Sequence, residues 1–286
     1  MLKSCYKLAI IAPTCFYYQE DLFRQLNCHP RIDLTVYFCS EEALDARDAH
    51  VMYQTIENWG DRNELLNGYK YKFLKNSSPR PSYLKWPHGL MNFSIWDEIE
   101  QERPDLVVLM SWMNITWWIA IAACVRFHVP FLYMTDANIA AESYSSGLKK
   151  AMKQIVLGNI LFKLATGFLC AGYANRKLYQ FYGVPDRKLI PFAYSWGYQA
   201  LLETASQLKP RRSELKAKQG LSDDSVVILY CGRLGEEKAL FDLLNAYQLV
   251  GNPNKHLAIV GEGNIGQSLR DYATNQNINS IRFWGF

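Results

Sequence analysis

The stretch LYCGRLGEEKALFDLLNAY (229–247) runs from an apolar strand-like segment through a charged loop into an apolar helix-like segment, with Arg233 and Lys238 bracketing Glu236 and Glu237. In open α/β sheets ligands sit beyond the carboxyl ends of the strands, where the following helix offers free N–H groups to an anion. A guanidinium there can make a planar two-pronged contact with phosphate oxygens, and an ammonium adds a mobile point charge. Arg233 and Lys238, with Gly232 beside them, are therefore candidates to hold a diphosphate. The glutamates suit a helix's first turn and can orient the two cations when no ligand is present. The plain alternative is a solvated charged loop.

A second turn, VGEGNIGQSL (260–269), reads G-x-G-x-x-G through Gly261, Gly263 and Gly266. A nicotinamide-type fingerprint needs an acid about 20 residues further on, and no Asp or Glu follows Asp271. Gly261 and Gly263 are thus either a tight strand-to-helix turn or a second ligand-facing loop. Upstream, Asp136 follows the apolar run PFLYMT and can orient an acceptor hydroxyl, stabilise developing positive charge, or cap the next helix. Asn138 and Asn175 occupy comparable loop positions, where local turn hydrogen bonds are the alternative. Trp112 ends DLVVLMSW and lines the same edge or packs against the core. None of the five histidines pairs with another at metal-ligand spacing, so no metal site is expected.

The elements that must position these residues alternate. Strand-like runs fall at 7–13, 33–39, 71–74, 105–111, 130–135, 167–171 and 188–192, with helical stretches near 20–27, 91–102, 114–127, 146–164 and 173–182. Such alternation signals a parallel sheet with crossover helices. Residues 196–225 turn polar and basic and read as a connector. A second alternation follows: strand 226–231, helix 239–250, strand 256–261, helix 264–275, strand 280–285. The expected organisation is an N-terminal domain (1–195), a connector (196–225) and a second α/β domain (226–286). Three strands and two helices cannot cover both faces of a parallel sheet, so the second domain is expected to be incomplete at Phe286.

The 286 residues, 49 % hydrophobic and 20 % charged, suit a folded protein with two cores. A net charge of +4 is too small to argue for nucleic acid, and anionic substrates or an anionic membrane surface fit it. Seven scattered cysteines without a C-x-x-C pair read as buried thiols in a reducing compartment. The apolar run 115–125 is well short of the roughly 20 residues a spanning helix needs. No secretion signal is apparent, so the N-x-S/T triplets at Asn76, Asn92 and Asn114 are treated as chance. The segment GLKKAMKQIVLGNILFKLA (147–165) sets Lys149, Lys150, Lys153 and Lys163 beside Met152, Ile155, Val156, Ile160 and Leu161. It reads as a surface helix with its apolar side in the core, or as one that touches an anionic membrane. The segment EIEQE (98–102) reads as a solvated face.

The run VVILYCGRLGEEKALFDLLNAYQLV, then HLAIVGEGNIGQSLRDYA and IRFWGF, resembles the donor domain of glycosyltransferase family 4 (glycosyl transferases group 1), whose pattern is a G-R-x-x-x-E-K loop, then V-G-x-G, then a strand ending F-x-G. TDAN (135–138), AGYANRKLYQFYGVPDRKLIPFAY (171–194) and the Pro-Arg-Arg connector extend the resemblance. It implies the GT-B fold, an α/β class of two Rossmann-like doubly wound domains. By resemblance, Arg233 and Lys238 grip the diphosphate of a nucleotide sugar, no cofactor or metal is needed, and the sugar is transferred with retention at its anomeric carbon. Absence of a D-x-D pair agrees with fixed cations replacing a divalent ion. Three departures stand out. The Gly expected after the E-K pair is Ala239, which a helix start tolerates. The turn APTCFYYQEDLF lacks a glycine pair. The family's pair of glutamates seven residues apart is expected beyond Phe286.

These features lead to a hexosyltransferase that uses a nucleotide-sugar donor and a glycan or lipid-linked acceptor in surface polysaccharide synthesis. Its expected location is cytoplasmic, with peripheral membrane contact through 147–165 left open and no nucleic-acid partner. Two other readings remain: a truncated, non-catalytic module that binds a nucleotide sugar or an acceptor, the chain as it stands being inactive if its donor domain is incomplete, and a nucleotide-sugar epimerase of the same architecture.

Overall fold

A computed structural model describes residues 3–16, 18–42, 65–140, 147, 153–193 and 198–285. The chain divides into two compact units, passing from one to the other between Gly197 and Tyr198.

The first unit is built on seven parallel strands: β1 (Tyr6–Ala12), β2 (Ile32–Phe38), β3 (Tyr71–Phe73), β4 (Leu106–Leu109), β5 (Phe131–Thr135), β6 (Gly167–Cys170) and β7 (Leu189–Pro191). Their order is β3-β2-β1-β4-β5-β6-β7, so the chain reverses direction across the sheet between β1 and β4. The central strands read as unbroken apolar runs because both of their faces are buried. Ala9 and Ile11 join one core cluster with Val107 and Leu109, while Ile10 and Ala12 join another with Val108 and Met110. Successive residues on a strand point to opposite faces, so the two clusters lie on opposite sides of the sheet. Pro191 sits on the edge strand, where its missing N–H costs no ladder bond.

Helices α1 (Glu20–Cys28), α2 (Ile95–Glu102), α3 (Ile115–Phe127), α4 (Gln154–Leu161, wide π-type turns running into Phe162–Leu164) and α5 (Tyr173–Phe181) link the strands. Helix α3 stops where His128 adopts a left-handed conformation, φ 57°, and its N–H turns back onto the Cys124 and Val125 carbonyls. Phe162 of α4 is the hub of an aromatic core, with ring centroids of Phe168, Tyr133 and Trp112 at 5.1, 5.2 and 5.4 Å.

Helix α2 starts later than the sequence reading of 91–102, because Asn92 is engaged elsewhere. Its buried amide donates to the Cys39 and Leu74 carbonyls, each at 2.9 Å, and accepts from the Thr116 hydroxyl at 2.8 Å. Of the three N-x-S/T triplets, Asn92 and Asn114 are buried, and the Asn76 amide donates to the Gly89 carbonyl at 2.8 Å. The expectation of buried thiols is corrected in part. Cys15, Cys39, Cys124 and Cys170 are buried, whereas Cys5, Cys28 and Cys231 are exposed. Burial pushes the Cys15 thiol up to about 11 and the Cys124 thiol to about 12.

The second unit opens with α6 (Tyr198–Leu208) and α7 (Arg212–Lys218), the latter carrying a Glu214 carboxylate paired with Arg211 at 2.9 Å and Lys218 at 2.7 Å. Then come β8 (Val226–Cys231), α8 (Leu240–Gln248), β9 (Lys255–Val260), α9 (Gly266–Asn275) and β10 (Ile281–Gly285), with sheet order β10-β9-β8, all parallel. Leu234, Leu244, Leu257, Ile259 and Leu269 form the core on one face. On the other face Val227, Leu229 and Cys231 are exposed, as is Trp284 of β10. Among the described residues no helix is long and apolar enough to cross a membrane.

Candidate functional site

At the carboxyl end of β8 the chain does not leave the sheet at once. Gly232 N–H donates to the Val260 carbonyl at 3.0 Å and Leu234 N–H to the Glu262 carbonyl at 2.9 Å, so the loop continues the pairing with the segment after β9. The Tyr230 hydroxyl holds the Arg233 carbonyl at 2.7 Å. Leu234 and Leu240 are buried in the core and anchor both ends of the loop. Between them Glu236, Glu237, Lys238 and Ala239 are exposed, as is Arg233 just before Leu234.

The two cations differ in their surroundings. Arg233 donates to the Glu237 carboxylate at 2.5 Å, each side chain being about half exposed. Glu237's own backbone N–H, and then the Arg233 guanidinium, hold that carboxyl below the usual range. The Lys238 ammonium makes no hydrogen bond or ion pair among the described residues, while its backbone N–H donates to the Gly235 carbonyl at 3.0 Å. The expectation that the glutamates orient both cations therefore holds for Arg233 and is corrected for Lys238.

The glycines of the second turn set the spacing between two backbones. Gly261 lies at φ 133°, and a Cβ there would overlap the Gly232 carbonyl oxygen. A Cβ on Gly263 would overlap the Leu234 carbonyl in the same way. Gly261 N–H reaches the Gly285 carbonyl at 2.7 Å, tying in β10. The structure thus brings Gly232, Arg233, Lys238, Gly261 and Gly263 to one edge, with Gly261 and Gly263 acting as spacers that let the first loop lie against the second.

Ala239 is not in a helix-start conformation. It sits at φ 51°, ψ 42°, in the left-handed region, immediately before α8. An L-residue with a Cβ is disfavoured there by roughly 1–2 kcal/mol, while Gly loses more freedom on folding by about 0.5–1 kcal/mol. Ala239→Gly is expected to stabilise the second unit by about 0.5–1 kcal/mol, read as a higher urea midpoint at unchanged slope. A lower midpoint would show that the left-handed geometry carries no strain.

In the first unit, Trp112, Asp136, Asn138 and Asn175 follow β4, β5 and β6 at their carboxyl ends. Asp136 is exposed, and its carboxylate makes no hydrogen bond among the described residues. Asn138 accepts from Ala140 N–H at 3.0 Å, a local turn of the kind its residue type favours. Asn175 is not a loop residue. It is buried on α5, donates to the Ala137 carbonyl at 2.5 Å and accepts from Ala171 N–H at 3.1 Å, which fixes the loops after β5 and β6 to each other. Trp112 is half-buried and packs edge-on against Tyr133, Phe162 and Tyr179.

Beneath Asp136, the Thr135 and Tyr179 hydroxyls meet at 3.0 Å. Burial pushes Tyr179 up to about 12, so the phenol stays protonated at neutral pH. Thr135 enters the sequence reading only within the runs PFLYMT and TDAN, and Tyr179 is not singled out there. The available signal was the spacing of Asn175 and Tyr179, which puts both on one helical face. Among the described residues no three His, Cys, Asp or Glu side chains converge as a metal site would require.

Comparison with known proteins adds the following. Residues 211–286 match the family model described as glycosyl transferases group 1. No curated protein matches the chain. Among solved structures, a glycosyltransferase from Rickettsia africae is similar over 99 % of this chain and 69 % of its own, at 12 % identity and TM-score 0.67. Anabaena Alr3699/HepE in complex with UDP is similar over 98 % of this chain and 69 % of its own, at 13 % identity and TM-score 0.66. The UDP-GlcNAc 2-epimerase from Neisseria meningitidis, bound to UDP-GlcNAc, is similar over 98 % and 72 %, at 14 % identity and TM-score 0.55. At such identities the likeness establishes the fold, an α/β architecture of the GT-B type.

Proposed function

We propose, on the family match of residues 211–286, that the chain is a glycosyltransferase that moves a hexose from a nucleotide-diphosphate sugar to a glycan or lipid-linked acceptor, with retention and without a metal ion. The observation that carries this reading is the pair of exposed cations at the carboxyl edge of β8, Lys238 without a side-chain partner and Arg233 held only by a solvent-exposed carboxylate. Negative charge grows on the leaving diphosphate as the glycosidic bond breaks. A guanidinium held by its carboxylate and a mobile ammonium can stabilise that charge where other sites use a divalent cation. The nucleotide part of the reading draws support from the UDP held by the Anabaena protein. In the first unit, Asp136 is proposed to face the acceptor hydroxyl, on a loop braced by Asn175 and by the Thr135–Tyr179 pair.

The test is to incubate the chain with a panel of nucleotide hexoses and glycan acceptors in excess EDTA. Nucleotide-diphosphate release and the anomeric configuration of the product are followed by NMR. Acceptor-dependent release with retained configuration is expected. Loss of release in EDTA, or an inverted product, would overturn the mechanism. Release of isomerised sugar without acceptor would indicate an epimerase, and donor binding without turnover would indicate a binding module.

A further inference from the structure

The first unit carries an outward surface that glycosyl transfer does not explain. Helix α3 links β4 to β5 and α4 lies in the link from β5 to β6, between strands that neighbour one another in the sheet. Crossovers between parallel strands keep one hand, so both helices lie on the same face, and both bury residues in one core cluster. Helix α4 turns Leu157, Gly158 and Phe162 inward. A Cβ on Gly158 would press against the Tyr182 carbonyl at 2.6 Å, and Gln154 donates to the Phe181 carbonyl at 3.1 Å, so the inner side is seated firmly. Its outer side should then be polar.

It is not. Ile155, Val156, Ile160 and Leu164 on α4, with Trp118 and Val125 on α3, are 41 to 56 % exposed. Lys153 and Lys163 flank the first group and Arg126 the second, all three exposed. Tyr173 and Lys177, at the start of α5 on the same face, are packed against each other at 5.3 Å. From Ser143 to Pro185 the chain has six basic residues and no acidic one. On α2, Glu98 is paired with Lys72 and Glu102 with Lys7, while Asp97 and Glu100 are exposed. The expectation that the apolar side of 147–165 faces the core is thus corrected for Ile155, Val156 and Ile160, while Lys149, Lys150 and Met152 lie outside the described residues.

We propose that the outward sides of α3 and α4 form a docking surface for an anionic lipid bilayer. Exposed aliphatic side chains of this number, interleaved with lysines and an arginine and bordered by Trp and Tyr, match the interfacial zone of a membrane: the apolar groups enter the acyl boundary while the long cationic chains reach back to phosphate. A protein partner of mixed charge would call for acids among the bases, and the outward sides of α3 and α4 carry none, the exposed Asp97 and Glu100 lying on α2 instead. Such docking would hold the enzyme beside a lipid-linked acceptor, but it requires no catalysis and stands apart from it.

The full chain, without nucleotide sugar, is floated with vesicles of phosphatidylcholine alone or with about 30 mol % phosphatidylglycerol. Binding is expected only to the anionic vesicles and to fall as salt is raised. Lys153→Glu with Lys163→Glu should weaken it at least about tenfold. Ile155→Ser with Ile160→Ser should weaken it comparably even at low salt, with circular dichroism unchanged because these side chains are exposed. Equal binding to both vesicle types, or binding that neither pair of substitutions alters, would overturn the proposal. So would sedimentation showing a dimer that the isoleucine pair dissolves while vesicles capture nothing. Donor turnover is measured separately, so failure of either reading leaves the other standing.

Discussion

Arg233→Ala is expected to lower kcat/KM for the nucleotide-sugar donor by roughly 10²–10³-fold, with most of the loss in kcat. Removing one preorganised donor from a site of growing negative charge costs about 3–4 kcal/mol of transition-state stabilisation. An interaction that strengthens as charge develops acts on kcat more than on KM. Lys238→Ala should lose less, about 10–10²-fold, because a flexible ammonium is held in place less well than a guanidinium fork. Glu237 sharpens the experiment. Its carboxylate accepts from Arg233 in the ligand-free protein, so removing the arginine leaves an unbalanced negative charge beside the diphosphate. Arg233→Ala combined with Glu237→Gln should therefore recover part of the lost affinity for the nucleotide diphosphate. Glu237→Gln alone should raise that affinity a few fold by releasing the guanidinium. Folding stability should hardly move, since exposed pairs contribute about 0–1 kcal/mol. If Arg233→Ala and Lys238→Ala both keep donor affinity and turnover within about twofold of the parent chain, the diphosphate role assigned to this loop is wrong.

The residues carrying this prediction were legible because the chemistry needs few of them and puts them after a strand. The strands themselves were legible for a related reason. A parallel strand buried on both faces must be a continuous apolar run, so KLAIIAP announces Tyr6–Ala12 without knowledge of its neighbours. Interactions that join distant segments were not legible. Nothing local to LMNFS shows that Asn92 would bind the carbonyls after β2 and β3 and so delay α2 to Ile95. Asn175 looked like a loop residue because its partners, Ala137 and Ala171, belong to other turns. Helix α4 misled because its inward side is taken by Leu157 and Phe162, which the reading did not group, while Ile155, Val156 and Ile160 share the opposite side with Lys153 and Lys163 and end up outward. Ala239 looked like a harmless replacement for glycine because a sequence does not display φ, and 51° emerges only once the turn Glu236–Lys238 is closed.

Gly261→Ala is expected to destabilise the second unit by about 3–5 kcal/mol and to abolish donor binding under conditions where the first unit remains folded. Two penalties combine. The backbone at φ 133° lies where L-residues rarely go. The new methyl would also overlap the Gly232 carbonyl oxygen, a backbone atom that no rotamer change can move aside. Relief requires parting the two loops, which breaks the Gly232–Val260 and Leu234–Glu262 hydrogen bonds that continue the β8–β9 pairing. Arg233 lies between the two donors of those bonds, so a displacement of about 1 Å in the loop moves the guanidinium off the diphosphate and costs on the order of 10²-fold even in molecules that stay folded. Gly251→Ala is the control. A Cβ there meets nothing within 4 Å, and the change should stay within about 0.5 kcal/mol. Hydrogen exchange at the β8 and β9 amides in rising urea isolates the second unit from the first. Should the Gly261 and Gly251 variants protect those amides equally, the glycine turn is not holding the two loops together, and the position of Arg233 must be set by Leu234, Leu240 and the Tyr230 hydroxyl alone.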